Sequence, residues 1–246
     1  VTLLVNSGEG GSNSTTVTTG NSGGASGDAF TTVYTGGGAA AAIYATGSAI
    51  SGVGTLGFYS TVTGDAPFSW LRWVVTGSAI MTLRGYFRLG SLAPVSTCPV
   101  IFSGAGDAVA GGAGVNTAGY FSVRGSPQTE VWQSSAKLVA STIYRFELAI
   151  QAGTTISNGT IRAAYYLGNS ITPVEMYEAL STANTGTANL TYCNFGVYGG
   201  TLALDYDDLA FTNVSTGFIG PVSVPDDSKR IRGQVPVLAV ARAATW

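Results

Sequence analysis

The stretch A-I-M-T-L-R-G-Y-F-R-L, Ala79 to Leu89, alternates apolar and polar residues with a period of two. Met81, Leu83, Phe87 and Leu89 fall on one face, and Thr82, Arg84, Tyr86 and Arg88 on the other. That period is the signature of a half-buried β-strand. Two later stretches repeat it. Y-R-F-E-L-A-I turns Tyr144, Phe146, Leu148 and Ile150 inward and Arg145 and Glu147 outward. I-R-A-A-Y-Y-L places Ile161, Ala163, Tyr165 and Leu167 on one face and Arg162 and Tyr166 on the other. Almost nothing recurs at helical spacing. P-V-E-M-Y-E-A-L-S, with Pro173 at its first turn, is the one candidate for a short helix and fits a loop equally well. The segment from Asn6 to Ala42 is low in complexity, yet Val17, Phe30, Val33 and Tyr34 punctuate it. It reads as short strands and tight turns. The fold class predicted is all-β.

Composition narrows the function. The chain has 246 residues, 10% charged and 45% hydrophobic, with 35 glycines and a net charge of −2. Such a chain is not disordered by charge, and it has ample material for one core. The charge gives no general attraction to nucleic acid. No apolar run approaches the ~20 residues of a membrane span. A soluble protein is expected, with neither nucleic acid nor membrane as partner. There is no histidine, which removes the commonest general base and the usual zinc ligand. Cys98 and Cys193 cannot make a zinc site alone; a pairing of the two stays open, since the sequence does not show whether they are close. Cys193 shares a strand face with Phe195 and Val197 and reads as a buried thiol.

After Pro221 the character changes. Residues 222–246 carry Lys229, Arg230, Arg232 and Arg242 against Asp226 and Asp227. The rest has seven basic and eleven acidic residues. The segment reads as an extended arm ending in the apolar strand V-P-V-L-A-V-A-R-A, fit to add an edge strand to a neighbour.

Three pieces appear in order: N-S-G-E-G-G-S-N-S-T-T-V-T-T-G-N-S-G-G-A-S-G-D-A-F, S-T-I-Y-R-F-E-L-A-I and L-D-Y-D-D-L-A-F-T-N-V-S-T-G-F-I-G-P. Together they resemble the concanavalin A-like (laminin-G-like) jelly-roll domains of structural proteins from bacteriophages that infect actinobacteria. The likeness spans about residues 3–221. It implies a two-sheet antiparallel sandwich over residues 1–221, followed by the arm at 222–246. It also implies a non-catalytic virion role, as capsid decoration or as a minor tail or fibre component. The arm then docks the domain to other virion proteins or to a sister subunit, with a homo-oligomer on the particle.

Three aspartates sit close together in L-A-L-D-Y-D-D-L-A-F, Leu202 to Phe211. Alternation puts Leu204, Tyr206, Asp208 and Ala210 inward and leaves Asp205 and Asp207 solvated; a bulge would reverse this. Glucanases of this fold carry a Glu-x-Asp-x-Glu strand. Here Asp205-x-Asp207-Asp208 has no glutamate, which weighs against a glycoside hydrolase. Sandwiches of this type hold a structural calcium between an acid near the first strand and one near the last. Glu9 and Asp208 match those places, with Asp28 as a third ligand, and oxygen ligands on Gly-rich backbone suit Ca2+.

The outward residues Arg84, Tyr86, Arg88, Arg145, Glu147, Arg162 and Tyr166 join Tyr120, Arg124 and Trp132 as a candidate binding face. If their strands are neighbours, aromatics lie among hydrogen-bonding groups on one sheet, which suits a host-surface glycan. A solvated face and a protein contact are the competing readings. Trp70 and Trp73 in F-S-W-L-R-W read as core or sheet rim.

Overall fold

The computed structural model describes residues 3–36, 39–63, 68–90, 97–103, 108–198 and 202–222. Fifteen strands carry the described chain, with one 3-10 turn at Thr46–Ser48. They are β1 (Leu3–Asn6), β2 (Thr32–Gly36), β3 (Ala39–Ala45), β4 (Gly57–Thr63), β5 (Phe68–Ser78), β6 (Ile80–Leu89), β7 (Thr97–Ser103) and β8 (Val109–Val115). β9 (Tyr120–Gly125), β10 (Glu130–Lys137), β11 (Ile143–Gln151), β12 (Gly159–Leu167), β13 (Glu175–Ala183), β14 (Leu190–Tyr198) and β15 (Leu202–Thr212) follow. They form two antiparallel sheets. Eight strands run β13-β12-β11-β6-β15-β4-β3, with β1 beside β15. Seven run β10-β9-β8-β7-β14-β5-β2. The all-β, two-sheet expectation holds.

The alternation of the sequence becomes the core. Met81, Leu83 and Phe87 of β6, Phe146 and Leu148 of β11, and Ile161 and Ala163 of β12 are fully buried between the sheets. They meet Trp73 of β5, Phe121 of β9 and Phe195 of β14 from the facing sheet. Phe121 lies 4.8 Å from Phe146 and 5.0 Å from Tyr165, ring centre to ring centre. Each buried Met, Leu, Ile or Phe among them contributes about 1.5–3 kcal/mol of transfer free energy. The Tyr206 hydroxyl within this layer is accounted for: it shares a 2.6 Å hydrogen bond with Ser60, which meets Ser69 at 3.1 Å.

P-V-E-M-Y-E-A-L-S is neither helix nor loop: Glu175–Ala183 is the edge strand β13. Its Tyr177 and Ala179 pack toward the core, while Met176, Glu178 and Leu180 point away. The described part of residues 6–42 does fold into short strands and turns, with Val17 and Phe30 in the core. Cys193 is a free, buried thiol packed with Phe195 and Val197. The arm beyond Val222 lies outside the described residues.

Candidate functional site

β12, β11, β6 and β15 are consecutive in the larger sheet, so part of the expected face does assemble. Register sets Tyr166, Arg145, Tyr86 and Asp207 in one row across four strands. Glu147 and Arg84 are paired in the next row. This face is not open. Tyr86 and Glu147 are fully buried, Arg145 is 1% exposed and Arg84 7%. The cause is the segment after β15, residues 213–222, which runs back over the sheet as a strap.

The strap meets the face almost entirely through its backbone. Ser215 O accepts from Thr82 Oγ1 at 2.5 Å, Thr216 O from Arg162 Nη1 at 2.9 Å, and Gly220 O from Arg84 Nη1 at 3.2 Å. Gly220 N donates to Glu147 Oε2 at 2.9 Å and Val222 N to the Tyr86 hydroxyl at 3.0 Å. Phe218 lies over the Arg162 guanidinium, 5.1 Å away, and edge-on to Tyr166. Beneath it, Arg145 Nε donates to Glu147 Oε1 at 2.9 Å while its guanidinium lies 3.9 Å from the centre of the Tyr166 ring. Burial pulls the Arg84 pKa down, and it pushes the Tyr166 phenol up with help from Glu147. Arg145 and Glu147 are thus paired and desolvated within the domain, and the Arg84 guanidinium is held by the carbonyls of Asp208 and Gly220. A buried pair of this kind is costly to break rather than strongly stabilising to own.

The other expected members stand elsewhere. Tyr120, Arg124 and Trp132 belong to β9 and β10 of the second sheet, so the ten residues never form one surface. Trp132 faces inward and stacks on Tyr177 across the sandwich at 5.8 Å. Tyr120 lies under the Lys137 ammonium at 5.5 Å. Arg162 is bonded to Glu178, and Arg88 to Asp205. Alternation identifies outward side chains, but it cannot say what later chain lies on them.

The three aspartates hold down a loop. The register of β15 against β6 shifts between Asp207 and Ala210, and Asp208 sits at φ 44°. This bulge flips the alternation: Leu204 and Tyr206 point inward before it, Leu209 and Phe211 after it. The expected inward Asp208 is therefore buried at the bulge rather than on the apolar face. Asp205 and Asp207 are not solvated. Asp205 accepts from Ser48 Oγ at 2.6 Å and from Arg88 Nε at 2.9 Å. Asp207 is fully buried and accepts from Ser51 N at 3.0 Å and Asp208 N at 2.8 Å. Burial and the neighbouring Asp208 push Asp207 up to about 8, against the bonds from Ser51. Burial also raises Asp208; Ser51 and Arg84 oppose that and Glu9 adds to it.

The predicted metal ligands do not gather. Among the described residues there is no cluster of three acidic, His or Cys side chains. Glu9 is spent on the same loop, its Oε1 accepting from Thr55 N and Leu56 N at 2.7 Å each. Gly54 is required beside it, because a Cβ there would lie 2.2 Å from Glu9 Oε1 and the residue has φ +81°. Asp28 Oδ2 accepts from Val5 N at 2.9 Å. What remains is Asp208. Its Oδ2 and the Ser26 Oγ are buried without a hydrogen-bond partner. Both residues line one cleft of ≈ 410 Å³, with Val5, Ser7, Val53 and Arg84.

One surface group was not singled out by alternation. On the outer face of the smaller sheet, Arg72 of β5 lies between Tyr34 of β2 at 5.0 Å and Tyr192 of β14 at 4.5 Å. Its Nε donates to Asn194 Oδ1 at 2.7 Å. Tyr34 is 44% exposed, and Trp70 packs nearby with Phe68 outside the main core. Trp73 is core. The signal was the alternation within F-S-W-L-R-W; the flanking strands, far off in sequence, were not visible from it.

The chain matches no family model, and no curated protein matches it. Solved structures do match in fold. Cellulose induced protein, Cip1, aligns over 76% of this chain and 90% of its own, with TM-score 0.55 and 12% identity. A PL-14 alginate lyase from Aplysia kurodai aligns over 65% of this chain and 84% of its own, with TM-score 0.49 and 8% identity. The Ca2+-bound VIP36 exoplasmic/lumenal domain aligns over 67% and 84%, with TM-score 0.43 and 11% identity. The chain is a concanavalin A-like jelly-roll β-sandwich. At these identities the likeness is one of fold, and fold does not carry function.

Proposed function

We propose that this protein is a non-catalytic structural module of a bacteriophage particle, on the capsid surface or in the tail, anchored by the chain beyond Val222. The observation that supports it is the strap. Residues 213–222 occupy the polar face of the larger sheet, and Asp205 and Asp207 are committed to loop anchoring. The sandwich is then a rigid closed block, and its net positive arm is the part left to reach a neighbour. The phage assignment rests on the ordered sequence likeness. Labelling of the protein on purified virions, viewed by electron microscopy, tests it. Regular label on head or tail supports the reading, and unlabelled particles refute it.

A second reading, glycan binding, draws on the Tyr34–Arg72–Tyr192 group, an exposed ring beside a guanidinium of the kind pyranose faces and hydroxyls meet. Loss of binding to a host glycan array in Tyr34→Ala supports it; a blank array for the wild-type protein retires it. Calcium enters at one place, the cleft where Asp208 Oδ2 and Ser26 Oγ lie unbonded and a hard cation would satisfy both. A melting temperature that does not differ between millimolar Ca2+ and EDTA removes it.

A further inference from the structure

β13 ends the larger sheet, with no strand beyond it among the described residues. Natural edges are kept short or blunted with Lys or Pro, because an open edge recruits strands. This one is nine residues long and contains neither Lys nor Pro; its pairing with β12 is regular over Glu175–Ala179, and a bulge with Ser181 at φ 54° follows Leu180. Met176 is 44% exposed and Leu180 60%, with Glu178 between them on the same face, and Val174 just before the strand is 47% exposed. The edge is therefore apolar and open, and its Glu178 gives Oε1 to Arg162 at 2.5 Å, leaving Oε2 for a second donor.

The chain itself carries a segment of complementary chemistry. Val237–Trp246 alternates: Leu238, Val240, Arg242, Ala244 and Trp246 fall on one face, and Val237, Ala239, Ala241, Ala243 and Thr245 on the other. Its only charge is Arg242. Antiparallel pairing of Arg242 with Glu178 sets Val240 opposite Leu180, Ala244 opposite Met176 and Trp246 opposite Val174. Small residues then face the Tyr177 and Ala179 side, where room is limited by the Trp132 stack. Opposite charges and apolar pairs directly across two strands are the contacts that stabilise added strands.

Reach favours the chain's own edge over that of a sister copy. Val222 is bonded to Tyr86, in the row that crosses Arg145 and Tyr166 to the start of β13. Three strand spacings make that crossing about 15 Å, and the place opposite Leu180 lies one spacing further out and six residues along β13, so the whole span from Val222 to Val240 is about 25–30 Å. The intervening chain to Val240 has a root-mean-square span of roughly 20–25 Å. A span this close to the distance gives millimolar effective concentration in cis.

We propose that in the free protein Val237–Trp246 adds to β13 as a ninth strand of the larger sheet. The arm is thereby stored on its own domain and is released to a neighbour on assembly. This rests on the anchoring role assigned to the arm above. The test is Leu180→Cys with Val240→Cys in the full chain, mildly oxidised at micromolar concentration and mapped by mass spectrometry. A 180–240 disulfide within one chain is expected, at least tenfold more abundant than in Leu180→Cys with Ala241→Cys. Amide exchange follows β13 in the intact chain and in Val240→Pro, where its edge amides should speed up at least tenfold. An interchain disulfide, or no disulfide with unchanged exchange, overturns the proposal. Neither measurement involves particles. If this contact fails while deletion of residues 223–246 still blocks incorporation, anchoring stands; if the contact forms and the deletion incorporates normally, anchoring alone falls.

Discussion

Replacing Glu147 by Leu should be worse than replacing Glu147 and Arg145 together. In the single variant the Arg145 guanidinium, 1% exposed, keeps its charge and loses its carboxylate. Gly220 N, which donates to Glu147 at 2.9 Å, loses its acceptor as well. Breaking one side of a buried pair costs about 3–5 kcal/mol. At about 2–4 °C per kcal/mol for a domain of this size, the melting temperature should fall by about 6–20 °C. Arg145→Met with Glu147→Leu removes both charges and leaves a thioether against Tyr166. That double variant should lie within about 2 kcal/mol of wild type, because no uncompensated ion remains. Calorimetry on the wild type, both singles and the double closes the cycle. Amide exchange at Gly220 reports the strap separately. A Glu147→Leu cost below about 1 kcal/mol, or a double cost equal to the sum of the singles, would refute the claim that these groups interact as a desolvated pair.

Further outcomes follow from other buried groups. Asp207, raised to about 8, binds a proton more tightly folded than unfolded, so its contribution is full below the ordinary carboxylate range and lost as pH rises toward 8. In EDTA, stability should fall by up to about 1.4 kcal/mol per pH unit across that window, and Asp207→Asn should flatten the slope. Cys193 is fully buried and its thiol is pushed well above the usual range, so iodoacetamide should modify its peptide only after unfolding. Gly196→Ala would place a Cβ 2.0 Å from Ser69 O on the neighbouring strand, at φ +138°. It should cost at least about 2 kcal/mol by denaturant titration.

The sequence made the strands legible wherever one face was uniformly apolar, as in β6, β11 and β12. It failed at β13, where Pro173 imitates a helix start and the inward residues are Tyr177 and the two small residues Ala179 and Ala183. The aspartates show a different limit. Alternation runs correctly to Asp207 and then inverts, because one residue at φ 44° inserts a bulge that no local pattern announces. The outward polar residues were identified correctly on β6 and β11, and their burial was not. It depends on the path of residues 213–222, whose backbone carbonyls serve as the acceptors and leave no trace in side-chain chemistry. The grouping of Tyr34, Arg72 and Tyr192 needed the pairing of three strands separated by up to about 160 positions in sequence.

The position of β15 bears on how the protein is made. The last described strand is not at an edge: it lies between β6 and β4, and its second half also carries β1. Until that strand leaves the ribosome, β4 and β6 each keep an unsatisfied flank, and the amino-terminal strand has nowhere to dock. The larger sheet therefore closes only once β15 has emerged, and until then the nascent chain passes through a state with two long interior edges exposed to other chains. Yield in a heterologous host should depend on holdase chaperones and low temperature far more than the stability of the finished sandwich suggests.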